Sequence, residues 1–184
     1  DLLAPIRSPV VCFGQATCRL THCTISNAGV HAVCARGACH IYLDHCTISK
    51  SVARAVYAYA NASVTLTHCS ISGTIRPDKA AIEVSAAGGG VDGSSSSLTM
   101  RDCNVVDNAG VGVRLRGPIN FVLEEGNVVE RNAGGDIDRT ECLEEDNEDN
   151  GGDILRRDAA GSSFRRGDWW CPKCTAPRRV NVDR

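Results

Sequence analysis

The sequence predicts an all-β fold, a parallel β-helix of about five coils of 23 residues followed by an irregular tail. Three observations carry that prediction. The first is a repeat: "LTHCTIS" begins at Leu20, "LDHCTIS" at Leu43 and "LTHCSIS" at Leu66, each 23 positions after the last. The second is that flanking residues keep step. Leu20, Leu43, Leu66, Met100 and Leu123 form one column, Ile25, Ile48, Ile71, Val105 and Val128 a second, and Val33, Val56, Ile82 and Val113 a third. The third is local pattern: runs such as "HIYL", "SVTLT" and "FVL" alternate with the two-residue period of a strand, and no helical periodicity competes. A period in the low twenties marks a solenoid. Leucine-rich repeats share the length but need several leucines per unit, and here there is about one.

Composition agrees. The chain has 184 residues, enough for one domain with a real core plus a tail. Aromatics make up 4%, and small and β-branched residues dominate, which suits thin, regular β-structure. A net charge of −2 gives no overall electrostatic case for nucleic acid or an anionic membrane. No apolar run approaches the roughly 20 residues that span a bilayer. The chain opens at Asp1 with neither Met nor a signal-like segment, which reads as a processed end or a boundary within a longer chain. Eleven cysteines would suit a secreted disulfide scaffold, but several fall at repeat positions. They predict buried, reduced thiols and hence an intracellular reducing compartment: cytosol, nucleus, or an organelle reached after a targeting segment is removed. One Asn-Ala-Ser triplet at Asn61 points the other way, and such triplets arise often by chance.

The elements follow in order. Residues 1–9, with Pro5 and Pro9, are expected to cap one end. Three regular coils come next, with successive rungs about 4.8 Å apart and the Leu and Ile columns facing inward. Cys103 lies 34 residues after Cys69, one period plus an insertion of 11. "TIRPDK" and "SAAGGGVDGSSSS" supply that insertion as polar loops, the usual place for variable contacts. Gly126 stands 23 residues beyond Cys103, in the fifth position of the cysteine column. The β-helix is assigned to residues 1–138, an acidic then basic linker to 139–166, and a distinct segment to 167–184.

The best copies, "LTHCTISNAGVHAV" and "MRDCNVVDNAGVGVRL", resemble the repeat of pectin-lyase-like right-handed β-helix proteins. The resemblance implies right-handed coiling. It leaves function open, because such folds serve lyases, hydrolases and non-catalytic recognition modules alike.

Two columns carry potential chemistry. Cys23, Cys46, Cys69 and Cys103 occupy the place where many β-helices stack Asn, and the expected role is a buried structural ladder. Beside them run His22, His45, His68, Asp102 and Glu125, a polar ladder of three imidazoles and two carboxylates. Neighbouring rungs could share a Zn²⁺ ion. A flat ladder presents collinear ligands, however, whereas Zn²⁺ prefers a tetrahedron, so the expected reading of the column is a solvated polar stripe beside a turn. Catalysis on a carbohydrate would need paired carboxylates at one place. Asp102, Asp107 and Glu125, with Arg101 or Arg114, are the residues available for it. An active site needs one special location, and the His-Cys motif occurs in three.

The tail stands apart. "GDWWCPKC" places Cys171 and Cys174 at the spacing that grips half of a zinc site. With Asp168 and Trp169 it resembles the start of a RanBP2-type zinc finger, which implies binding to RNA or ubiquitin. That family's second Cys pair would begin just past Arg184, so the sequence reads as part of a longer chain. As it stands, a zinc ion at Cys171 and Cys174 would need ligands from elsewhere. The plainer role for Trp169 and Trp170 is an anchor for a protein partner. Together these features point to a non-catalytic scaffold or interaction subunit of a larger assembly. A carbohydrate-active lyase or hydrolase, and an RNA- or ubiquitin-binding adaptor, stand as the alternatives.

Overall fold

The computed structural model describes residues 8–86 and 95–140, together with the backbone of 168–170 and 177–179. The first coil comprises β1 (Val10–Phe13), β2 (Thr17–Thr21) and β3 (Thr24–Ser26), and the second β4 (His31–Arg36), β5 (His40–Asp44) and β6 (Thr47–Ser49). The third is β7 (Arg54–Tyr59), β8 (Ser63–Thr67) and β9 (Ser70–Ser72). The fourth is β10 (Ile82–Ser85), β11 (Ser97–Arg101) and β12 (Asn104–Val106), and the fifth β13 (Val113–Arg116), β14 (Asn120–Leu123) and β15 (Val128–Glu130). A last strand, β16 (Ile137–Thr140), begins a sixth coil.

Each strand pairs in parallel with its equivalents one coil before and after, so three sheets form the sides of a prism. They run β1-β4-β7-β10-β13-β16, β2-β5-β8-β11-β14 and β3-β6-β9-β12-β15. The chain is therefore the all-β parallel solenoid that the repeat predicts. Among the described residues, no helix is long and apolar enough to cross a membrane.

The inward columns are the predicted ones over most of their length. Leu43, Leu66 and Met100 pair in register and are buried, as are Ile48, Ile71 and Val105. Val33, Val56, Ile82 and Val113 form the third ladder. Each buried Leu or Ile is worth roughly 1.5–3 kcal/mol of transfer free energy. The core thins toward the ends, where Leu20 and Ile25 are only partly buried and Leu123 is exposed.

The insertion divides between two corners of the prism. The register offset grows to 26 residues at Val56↔Ile82 and to 34 at Ser63↔Ser97. The first, shorter part includes the "TIRPDK" turn, where Arg76 holds Asp78 with bonds of 3.0 and 2.6 Å. Most of "SAAGGGVDGSSSS" lies outside the described residues, as does most of the expected cap at 1–9.

The fifth coil departs from the 23-residue count. Asn104 pairs with Val128 and Val105 with Val129, an offset of 24, while Met100 still pairs with Leu123. One residue is therefore added in the corner between Leu123 and Val128. Val129, not Val128, continues the Ile column, and Val128 is exposed.

A group that the sequence pattern gave no sign of sits on the outward face of the first sheet. Arg54 and Glu83 are almost fully buried and joined by bonds of 2.9 and 3.2 Å. Arg116 approaches the same carboxylate at 3.4 Å, and Arg114 lies at 4.0 Å from it. Arg54 also covers the ring of Tyr57, whose phenol burial pushes up to about 12. The tail forms a separate unit, in which β17 (Asp168–Trp170) and β18 (Pro177–Arg179) pair antiparallel.

Candidate functional site

The chemistry-bearing columns lie at the corner between the second and third sheets. The corner turns by one residue in left-handed backbone conformation: φ is 53° at His22, 50° at His45, 51° at His68 and 50° at Asp102. Such a conformation costs an ordinary L-residue roughly 1–2 kcal/mol. The ladder repays that cost with backbone bonds between coils, from His22 N–H to Asp44 O (2.9 Å), His45 N–H to Thr67 O (3.0 Å) and His68 N–H to Arg101 O (3.0 Å).

The fifth rung corrects the column. The same positive φ, at 76°, recurs at Gly126, and Asp102 N–H bonds the carbonyl of Glu125 just before it. Gly126, not Glu125, is thus the equivalent of the histidines. The positive φ suits Gly, and Asp102 Oδ1 occupies the space that a Cβ there would take, 1.9 Å from it. The cysteine column shifts with it. Asn127, not Gly126, follows Cys103, and its amide donates to Met100 O at 3.0 Å while its Oδ1 accepts from Cys103 N–H at 3.0 Å.

The thiols do the same work with weaker bonds. Cys46 Sγ donates toward Leu20 O and Cys69 Sγ toward Leu43 O, each at 3.4 Å. Cys46, Cys69 and Cys103 are buried and Cys23 is half-buried. All the described cysteines are free thiols. Burial pushes Cys46 up, and the hydrogen bond with Cys103, then burial, does so for Cys69. In Cys46 and Cys69 the thiol is therefore favoured over the reactive thiolate, whereas the hydrogen bond from Cys69 lowers Cys103 to about 7.

The histidines are brought together. Ring centroids are 4.8 Å apart for His22 and His45 and 4.3 Å for His45 and His68, the latter stacked. Asp44, the last residue of β5, turns its carboxylate between the second and third rungs. Its Oδ1 lies 2.9 Å from His45 Nδ1 and 3.6 Å from His68 Nδ1. On the far side His68 Nε2 faces Asp102 Oδ2 at 3.4 Å, and Arg101 Nε lies 3.3 Å from that same oxygen. Partial desolvation opposes ionisation of Asp44, but hydrogen bonds and charge from His45 and His68 prevail and hold it below its ordinary value.

Sequence reasoning passed over Asp44 because it lies one residue before the repeated column. The signal was present in "LDHC", the one copy with Asp where the others have Thr. The remaining acidic residues are dispersed. Asp107 stands at the other end of β12 from Asp102, in a bidentate pair with Arg131 at 2.9 and 3.2 Å. Arg114 holds Asp138 at 2.9 Å. Cys171 and Cys174 lie outside the described residues, and of Trp169 and Trp170 only the backbone is described, in β17.

A family model described as "Right handed beta helix region" matches residues 8–150, most of the chain. No curated protein and no solved structure matches it.

Proposed function

The chain belongs to the right-handed β-helix family, and from that premise we propose that it is a non-catalytic scaffold, a protein-interaction subunit or segment of a larger assembly. One observation carries the reading. Two of the acidic groups that a carbohydrate-active β-helix would use, Asp102 and Asp107, are each held by basic side chains at separate places. Asp107 is committed to Arg131, and Asp102 sits between Arg101 and His68. A glycosidase pair needs one carboxyl kept protonated near neutral pH beside an ionised partner. Arg131 instead holds Asp107 below the ordinary carboxylate range. Contacts to a partner would come from the Gly/Ser-rich insertion, the open coil ends and the Trp169-Trp170 segment. The free thiols favour a reducing intracellular compartment as the place of assembly.

The carbohydrate-active alternative, a lyase or hydrolase of pectin-lyase-like type, is separated by a direct assay. The full chain is incubated with a panel of neutral and acidic polysaccharides, and new chain ends are measured. No turnover is expected, together with stoichiometric co-purification of a protein partner from the native source. Turnover abolished by Asp102→Ala would sink the scaffold reading.

A second reading, an adaptor for RNA or ubiquitin through a RanBP2-type knuckle, is favoured by the antiparallel pairing of β17 with β18. Cys171 and Cys174 fall between those strands in sequence, as in a two-cysteine zinc hairpin. Stoichiometric zinc lost on Cys171→Ser, with RNA or ubiquitin binding lost alongside, would establish it.

A further inference from the structure

We propose that Asp44, His45 and His68 form an open, three-ligand Zn²⁺ site on the solenoid surface, with Asp102 orienting His68 from behind. The site goes beyond the scaffold reading and does not depend on it. Its donor set is two imidazole nitrogens and one carboxylate oxygen, borderline ligands that suit zinc. The three donor atoms lie within 4.8 Å of one another. Zinc bonds of about 2.0–2.1 Å in a tetrahedron place ligand atoms roughly 3.3 Å apart. The spacings from Asp44 Oδ1, 2.9 Å to His45 Nδ1 and 3.6 Å to His68 Nδ1, bracket that value.

The ladder objection does not apply to this set. Three stacked histidines alone would be collinear, but Asp44 comes from the end of β5 and stands off the column. The points from which the two side chains leave the corner are fixed by backbone, with φ of 50° and 51° and N–H bonds of 3.0 Å into the next coil at both residues.

Asp102 supplies the second layer. A histidine that ligates a metal through one ring nitrogen usually donates its other N–H to a carboxylate, which fixes the tautomer and raises ligand basicity. With Nδ1 of His68 turned toward Asp44, its Nε2 faces Asp102 Oδ2 at 3.4 Å. Three protein ligands leave a fourth position for water or an incoming donor, as in open zinc sites generally. His22 lies tilted against the outer side of His45, outside the ligand set, and serves as the internal control.

The test uses the full chain carrying Cys171→Ser and Cys174→Ser, so that the tail thiols do not compete, and ZnCl₂ as the probe. Histidine side-chain ¹⁵N resonances are followed through the titration, and affinity is measured by calorimetry. One equivalent of Zn²⁺ should shift Nδ1 of His45 and His68. Asp102→Asn should weaken binding by about 10-fold or more. His45→Ala or His68→Ala should weaken it further, while His22→Ala leaves it unchanged. The proposal is overturned if His45 and His68 do not respond to zinc, or if His45→Ala binds as tightly as the parent. It is equally overturned if His22→Ala is as damaging as His68→Ala, since binding would then belong to a diffuse imidazole stripe. The parent titration decides alone should an alanine variant fail to fold.

Discussion

Individual residues in this solenoid are selected by backbone conformation as much as by side-chain burial. Lys50 illustrates the point on a second left-handed column, with Asn27, Gly73, Asp107 and Arg131, where its φ is 55°. Its side chain is exposed, so the conformation is the main thing a substitution changes. Lys50→Gly should leave stability unchanged or raise it slightly, whereas Lys50→Val, whose β-branch adds crowding at positive φ, should lower it. Urea denaturation of the two variants checks the difference, and equal stabilities would contradict the conformational account. Glu83 is the opposite case, selected by its partners. It is 2% exposed, with Arg54 at 2.9 Å. Removing one member of a buried pair leaves the other charge uncompensated, so Glu83→Ala should cost about 3–5 kcal/mol. A loss below 1 kcal/mol in the same denaturation series would show that solvent reaches Arg54 freely.

At the scale of the element, the corners are where coils are stapled together, and the staples change chemistry along the axis. At one corner Cys46 and Cys69 set thiols over carbonyls of the preceding coil, and the last rung uses Asn127. At the next corner, Asn108 and Asn132 stack with a bond of 2.9 Å, and Arg131 reaches back to Asp107 at the surface. That surface pair gives a pH prediction. Arg131 lowers the Asp107 pKa, and Arg76 lowers that of Asp78 to about 2. A depressed carboxyl stabilises the fold above its unfolded pKa of about 3.9, and that contribution fades as pH falls through the folded value. Acid sensitivity from these two groups therefore belongs between about pH 4 and 2, with none near neutrality. Carboxyl ¹³C titration should place both midpoints below the ordinary value, and Arg131→Gln should return Asp107 alone toward it. The corners also explain what was readable beforehand. The Leu and Ile columns repeat a single residue type at fixed spacing, so counting finds them. Counting fails at the fifth corner because one added residue moves Gly126 and Asn127 by a place. Residue preference supplies the missing signal, since Gly suits positive φ and Asn suits the stacking position. Asp44 was unreadable for a different reason: a ligand that makes a ladder non-collinear must come from off the ladder. The Arg54–Glu83 pair lay hidden behind the register shift, which changes which outward positions are neighbours.

For the whole molecule, stability is a sum along one axis. Each coil contacts only the coils on either side, so removing one rung affects two interfaces in the middle and one at an end. Ile71 in the third coil is fully buried between Ile48 and Val105, whereas Ile25 in the first coil, among the described residues, pairs with Ile48 alone and is partly buried. Ile71→Ala should therefore cost about 2–5 kcal/mol, and Ile25→Ala clearly less. The form of unfolding should differ as well as its midpoint. A weakened third coil uncouples the two ends of the solenoid, so hydrogen exchange should lose protection at β9 and its neighbours and urea unfolding should broaden. A weakened first coil should fray locally and leave β11 to β13 as protected as before. Equal costs with a uniform loss of protection would mean that the coils unfold as one cooperative block. That outcome would bear on the surface too, because the rung holding His68 lies in the same third coil as Ile71. If coils fluctuate separately, Ile71→Ala should loosen the His45–His68 spacing and weaken zinc binding, while Ile25→Ala should leave it intact.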